Sequence, residues 1–191
     1  MATINLAARE VHAKIVYYGP GLSGKTTNLL DIHRRLPPHT RGRMQSIATQ
    51  QERTLFFDFV PIESVRVGGF SIQFHLYSVP GQEHYMRSRR AILSGADGVV
   101  FVADSAADRL AANLASVEEL SANLAQHGRS VTVVPIVLQC NKIDLDDALS
   151  VGELDERLNL GGWPSLGACA VQGNGVAETL RAISKRVAGT L

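Results

Sequence analysis

The feature that most constrains this chain is the run Gly19-Pro20-Gly21-Leu22-Ser23-Gly24-Lys25-Thr26, set between a short apolar stretch, Lys14–Tyr18, and an amphipathic one that opens at Lys25. It matches the spacing GxxxxGK(S/T), and strand, glycine loop and helix in that order give the spacing its physical meaning. Glycines let successive backbone N–H groups turn inward around an anion, and the start of the helix adds partial positive charge. Lys25 can then reach the terminal phosphates of a nucleotide, and the Thr26 hydroxyl suits Mg²⁺. Gly19, Gly21, Leu22, Ser23, Gly24, Lys25, Thr26 and Thr27 are therefore the expected phosphate-binding residues. A glycine-rich turn with no ligand is the plainer alternative.

Length and composition bound what can surround this loop. A chain of 191 residues with 45% hydrophobic residues is expected to form one domain, residues 1–191, burying roughly 70% of the surface its unfolded form exposes. Nineteen basic residues against eighteen acidic ones, a net charge of +1, remove the footprint of a protein that binds a nucleic acid polymer or a polybasic membrane anchor. Charge is uneven, however: five arginines face one glutamate between residues 34 and 53, whereas 144–158 carry six acidic residues and one arginine. The first stretch could steer an acidic partner, or both could be ordinary solvated faces. Cys140 and Cys169 sit among apolar neighbours, as buried free thiols do, and fit a reducing, cytoplasmic setting. The longest apolar run is Val99–Ala103, residue 2 is Ala, and no cysteine follows Cys169, so a signal peptide, a membrane span and a lipid anchor are not expected.

Short β-rich runs alternate with amphipathic helical ones, which predicts an α/β fold. Strands are expected at Lys14–Tyr18, Leu55–Val60, Phe70–Val79, Val99–Ala103, Val133–Cys140 and near Ala168–Ala170. Helices are expected from Lys25 to about Leu36, at Arg109–His127, Val151–Leu158 and Val176–Val187. Leu55–Val60 and Phe70–Val79 flank Gly68-Gly69, a hairpin signal. The sheet should therefore be six-stranded and mostly parallel with one antiparallel edge strand, and ligands belong at the carboxyl ends of its strands. Leu55–Val60 is apolar on both faces except for Asp58, which leaves its register weakly specified.

After the strand Val133–Cys140 stands Asn141-Lys142-Ile143-Asp144, the pattern NKxD. A buried carboxylate at Asp144 can accept two hydrogen bonds from guanine, from the ring N–H and the exocyclic amino group, whereas adenine offers neither and would leave the anion unpaired. Asn141 would brace the loops and Lys142 would lay its aliphatic stem over the base. A capping turn before the next helix is the alternative.

Taken with Ser78-Val79-Pro80-Gly81-Gln82, these segments resemble the Ras-like small GTPases over residues 12–188, and more closely the bacterial cell-polarity and gliding-motility GTPase family, MglA. The likeness rests on IVYYGPGLSGKTTNL, ERTLFFDF, FHLYSVPGQ, GVVFVADS and NKID. It implies a three-layer α/β/α P-loop G domain that binds GTP and GDP with Mg²⁺, hydrolyses GTP slowly by itself, and is stimulated by a Roadblock-fold activating protein. Effectors would belong to polarity or motility machinery. By the same likeness Thr54 is the switch threonine that joins Thr26 on Mg²⁺, Gly81 supplies an N–H to the γ-phosphate, and Gln82 orients the attacking water. Arg53 is a candidate arginine finger in cis, or a surface arginine. Ala170, preceded by Cys169, lies where the last loop donates a backbone N–H to the guanine carbonyl. Ser78 takes the place of the usual DxxG aspartate; Asp58 is the candidate replacement for the metal, or else a solvated position on a strand face. The family is associated with register movement of the Leu55–Val60 strand. The rival readings are a nucleotide-binding interaction module with negligible hydrolysis and an ATP-dependent phosphotransferase built on the same phosphate loop, with Asp144 the residue that decides the second.

Overall fold

The computed structural model describes residues 2–37, 45–48, 54–58, 66–80 and 86–191, and of 45–48, 54–58, 66–67 and 86 the backbone alone. The central strand, β2 (Glu10–Tyr18), follows a short β1 (Thr3–Asn5) and leads through the glycine loop into α1 (Lys25–Arg35). Then come β3 (Gln45–Ala48), β4 (Thr54–Asp58), β5 (Arg66–Val67), β6 (Phe70–Ser78) and α2 (Met86–Leu93). The second half alternates β7 (Gly98–Asp104), α3 (Leu110–Gln126), β8 (Ile136–Asn141), α4 (Val151–Leu158), β9 (Ser165–Ala168) and α5 (Val176–Ala188).

The main sheet runs β5-β6-β2-β7-β8-β9. Pairs β2–β6, β2–β7, β7–β8 and β8–β9 are parallel, and β5–β6 is antiparallel. Because β7 joins β2 only from Ile15 onward, the first residues of β2 keep a free edge there. The antiparallel β1 takes it, with Thr3 opposite His12. β1 is exposed along all three residues, so it has no alternating pattern from which a strand could be read.

Both faces of this sheet are covered, and the odd and even residues of one strand show it. Val16 and Tyr18 of β2 join Phe101 of β7, Leu138 of β8, Ile92 and Leu93 of α2, Leu120 and Leu124 of α3, and Leu154 and Leu158 of α4 in one buried cluster. Ile15 and Tyr17 point the other way, to Leu29 and Ile32 of α1 and Ile183 and Val187 of α5. The result is the expected three-layer α/β/α arrangement. All seven residues of β7 are buried, which is why its sequence reads as an apolar run rather than an alternation. By contrast α2 has no such signature: Ile92 and Leu93 face inward beside a buried Arg89, and a charged residue at an inward position hides the helical spacing.

The expected hairpin needs one correction. A two-residue turn pairs the residues directly beside it, and Val67 is opposite Phe70 across Gly68 and Gly69, whose φ angles are 57° and 86°. The antiparallel edge arm is therefore Arg66–Val67 rather than Leu55–Val60. Thr54–Asp58 instead pairs antiparallel with Gln45–Ala48 in a separate two-stranded sheet, with an irregularity between Ser46 and Ala48. A strand apolar on both faces carries no signal for which neighbour it takes.

Part of the acidic segment serves the fold. Ser150 and Glu153 form a capping box at the start of α4, each side chain bonded to the other's backbone N–H. The Ser150 hydroxyl, donating to Glu153 Oε2 at 2.7 Å, and then the Ser150 N–H hold the Glu153 carboxyl below its usual range. Asn159 and Ser165 do the same for Asp155. Among the described residues no helix is long and apolar enough to cross a membrane.

Gly175 fixes how α5 meets the end of β9. It caps α5 with φ at 74°, and a Cβ there would stand 2.2 Å from the Gly167 carbonyl oxygen. Gly175→Ala should therefore cost about 2 kcal/mol or more, from left-handed strain plus a backbone clash. Urea denaturation checks this, and an unchanged midpoint would contradict it.

Candidate nucleotide-binding site

Because β6, β2, β7, β8 and β9 are parallel, their carboxyl ends come out on one side of the molecule. That side gathers residues 19–24 after β2, Asp104 and Ser105 at the end of β7, residues 141–144 at the end of β8, and Cys169 and Ala170 beyond β9. The loop after β2 is folded as a cradle. Gly19 and Gly24 have φ of 142° and 96°, and Leu22, at 67°, adopts the left-handed region without being glycine. At Gly19 a Cβ would lie 2.3 Å from the Val102 carbonyl oxygen, and at Gly24 one would lie 2.1 Å from Asn141 Nδ2. Glycine is thus required at these two positions by protein contacts alone.

Asn141 joins three loops. Its Nδ2 donates to the Ser23 carbonyl at 2.8 Å, its Oδ1 accepts from the Ala170 N–H at 2.9 Å, and its own carbonyl accepts from the Ser105 N–H at 2.8 Å. The side chain is buried, so it sits in the low-dielectric interior where such bonds hold position firmly. A second buried chain lies behind it: Gln139 Nε2 donates to Asn28 Oδ1 and Thr179 Oγ1, each at 2.9 Å, and Asn28 Nδ2 donates to the Gly24 carbonyl at 3.0 Å. Sequence reasoning missed this network. Its only signal is a glutamine at an inward position of an otherwise apolar strand.

Lys25 opens α1 and is buried. Its ammonium donates to the Gly19 carbonyl at 2.9 Å and the Pro20 carbonyl at 2.6 Å. Burial, and secondarily the positive charge of Arg89, bring its pKa down from 10.5 to about 7. Ser23 Oγ is buried and makes no hydrogen bond to the described residues. A buried hydroxyl without a partner and a desolvated cation in one glycine cradle suit an anion with several oxygens.

The base-reading segment differs in one respect from the expectation. Lys142, with φ at 69°, sends its ammonium to Asp104 Oδ2 at 2.6 Å. Asp144, expected to be buried, is exposed, so the protein alone does not desolvate it; a base seated against it must supply that cover. Beside it Cys169 is buried as a free thiol, like Cys140. Burial, then its hydrogen bond to Asp144, raises the Cys169 pKa above the ordinary value.

Thr26 and Thr27 fall in the first turn of α1, and Ser78 ends β6, buried, opposite Tyr17. Thr54 and Asp58 are the first and last residues of β4, described as backbone only. Arg53, Gly81 and Gln82 lie outside the described residues. Among the described residues there is no group of three or more His, Cys, Asp or Glu able to hold a metal. Of the residues expected at a metal, Thr26 lies in the first turn of α1 directly after the phosphate loop, and a Mg²⁺ beside its hydroxyl would need phosphate and water oxygens to complete its octahedron.

This loop-and-strand arrangement is that of the P-loop small GTPases, and the chain matches the ADP-ribosylation factor family over residues 2–187. It belongs to that family of GTP-binding small GTPases. It is 49% identical over 187 residues to the mutual gliding-motility protein MglA of Myxococcus xanthus, covering 98% of this chain and 96% of that protein. It is 29% identical to ADP-ribosylation factor-like protein 6 of Caenorhabditis elegans, over 91% of this chain and 85% of that one. With human ADP-ribosylation factor-like protein 4A the identity is 28%, over 58% of this chain and 56% of that one.

The lowered Lys25 pKa has a measurable consequence. At pH 8 a pKa of about 7 leaves Lys25 mostly neutral, and a polyphosphate favours the charged form, so nucleotide binding should take up most of one proton. Affinity then falls as pH rises above 7. Calorimetric titration at pH 8 in buffers of different ionisation enthalpy should show this uptake, shrinking toward pH 6. Heats independent of the buffer at pH 8 would contradict it.

Proposed function

We propose that the chain is a guanine-nucleotide switch, one G domain over residues 1–191 that binds GTP with Mg²⁺ and hydrolyses it to GDP and phosphate. The observation that carries this reading is Asn141, whose side chain ties the phosphate loop at Ser23 to Ala170. A phosphate cradle and a base-reading loop locked together fit one ligand with phosphates at one end and a base at the other. In this reading Gly19, Gly21, Leu22, Ser23, Gly24, Lys25, Thr26, Thr27 and Gly81 hold the phosphates. Asn141, Lys142, Asp144, Cys169 and Ala170 form the base side, with Asp144 accepting both guanine donors.

Hydrolysis is in-line attack of water on the γ-phosphorus with cleavage of its bond to the β–γ bridging oxygen. Gln82 orients the water, the Thr54 backbone N–H meets the γ-phosphate, and Arg53 meets charge developing in the transition state. Thr26 and Thr54 hydroxyls, with Asp58 in place of the carboxylate that Ser78 lacks, would hold Mg²⁺, which when bound neutralises charge on the β- and γ-oxygens. Movement of the β4 segment, whose register its sequence specifies weakly, is the proposed difference between the GTP and GDP states. A Roadblock-fold activator and polarity or motility effectors are proposed partners, and the name of the Myxococcus relative agrees with a motility role. The two buried free thiols fit a cytoplasmic setting.

Ser78 favours a second reading. A buried hydroxyl where a carboxylate is usual weakens the metal site, as in a module that retains nucleotide without turning it over. Single-turnover GTP hydrolysis separates the two. The parent should hydrolyse slowly, on the order of 10⁻⁴ per second, and an activator should accelerate it. Gln82→Leu and Arg53→Ala should each remove the stimulated rate; unchanged stimulation by either variant would move its assigned role elsewhere. Asp58→Ala should speed Mg²⁺-dependent nucleotide loss with little change in stability. Guanine selection has its own check: the nucleotide that copurifies should be GDP or GTP, and Asp144→Asn should shift preference toward xanthine nucleotides by about a hundredfold or more. An adenine nucleotide in the purified protein would overturn the reading.

A further inference from the structure

Asp104 ends the central strand β7 with its carboxylate 1% exposed, in a segment whose motif GVVFVADS has no role in the function proposed above. Burying an anion is expensive unless it is paired and hydrogen-bonded. Here it is both. Oδ2 accepts from the Lys142 ammonium at 2.6 Å and lies 3.7 Å from Arg109 Nε, and Oδ1 accepts from the Ala106 N–H at 3.3 Å. The backbone of Asp104 is fixed as well: its N–H donates to Asn113 Oδ1 at 3.0 Å, and its carbonyl accepts from Asn113 Nδ2 at 2.8 Å. Asn113 is itself fully buried in α3. The carboxylate is therefore a buried, well-anchored post between two partly exposed cations.

Each cation belongs to a different side of the candidate site. Lys142 is in the base-reading segment, where its left-handed backbone, φ 69°, carries strain that an ion pair at the end of its side chain helps to hold. Arg109 reaches the other way: its Nη2 donates to the Gly21 carbonyl in the phosphate loop at 2.9 Å. Through these contacts the phosphate loop connects to Arg109, Asp104, Lys142 and the base-reading segment in turn. Asn141 makes a second connection between the same two regions on the buried side.

We infer that Asp104 and Arg109 are positioning residues, forming a charged latch that ties the phosphate loop to the base-reading segment and so sets how long a bound nucleotide is retained. The inference rests on the nucleotide-binding reading of this site and adds the control of its release. Opening the latch frees Gly21 and Lys142 together, so the separation of the two ends of a nucleotide is then held by the Asn141 tie alone. Neither residue needs to touch the reacting phosphate.

The test is the dissociation rate of a fluorescent GDP analogue from the full chain, for Asp104→Asn, Arg109→Met and the double variant, with thermal melting of nucleotide-free protein alongside. Each single variant should release nucleotide about ten- to a hundredfold faster, the range one charge-assisted hydrogen bond spans. The double variant should be slower than the product of the two single effects, because both act through one contact. Melting of nucleotide-free Arg109→Met should stay close to that of the parent. Should Asp104→Asn fail to fold, Arg109→Met alone decides. Release within twofold of the parent from Arg109→Met, full multiplication in the double variant, or faster release matched by a parallel loss of melting temperature would each overturn the latch. If the parent retains an adenine nucleotide instead, the guanine reading fails, and the latch is then measured on that nucleotide, so the two failures stay separate.

Discussion

The site depends on one constraint above the others: strands β2, β7, β8 and β9 are parallel and end together, and a buried asparagine at the end of β8 spans the gap between the loops they release. Asn141 can make its bonds to Ser23 and Ala170 only because β8 is held in register with β7 on one side and β9 on the other. Both hydrogen bonds involve backbone groups, so they fix the paths of the loops rather than the side chains on them. Buried as it is, the asparagine has no water to compete with these partners, and displacing either loop would leave a polar group unsatisfied at the heart of the site.

Around that tie the molecule sorts its polar groups by burial and charge. Behind the phosphate loop, Gln139, Asn28 and Thr179 form a fully buried neutral network that holds the start of α1 and the start of α5 against β8. Toward the open side the contacts are charged and belong to long side chains that are about one-third exposed, Lys142 and Arg109 on Asp104. A fixed neutral interior and an adjustable charged rim suit a site that must hold a highly anionic ligand and also let it go. The composition gives no hint of this division, because a net charge of +1 averages over both parts.

Legibility of the fold followed how each element's neighbours constrain it. β7 was readable because burial on both faces demands an unbroken apolar run, and α4 and α5 were readable because one face of each is buried and the other is wet. β1 and α2 were not: three exposed residues carry no pattern, and Arg89 occupies an inward position of α2 while pairing with Glu119 at 2.8 Å, a partner that only folding supplies. The strand expected at Leu55–Val60 is present as Thr54–Asp58, but its sequence does not name Gln45–Ala48 as its partner. Strand character is local, whereas pairing is a choice among edges that the sequence of one strand does not encode.

By itself the sequence determined the glycine cradle, the positions of Lys25 and Thr26 at the helix start, the NKxD segment and the α/β class. Each of these is set by backbone freedom or by periodicity over a few residues. The tertiary structure alone decided that Asn141 would bridge Ser23 and Ala170, that Asp104 would sit between Lys142 and Arg109, that Asp144 would be exposed, and that burial would lower the Lys25 pKa. Most of those contacts join residues 29 to 118 positions apart that meet where parallel strands end together, and all depend on how much water remains there. Neither the distance nor the dielectric exists until the chain has folded.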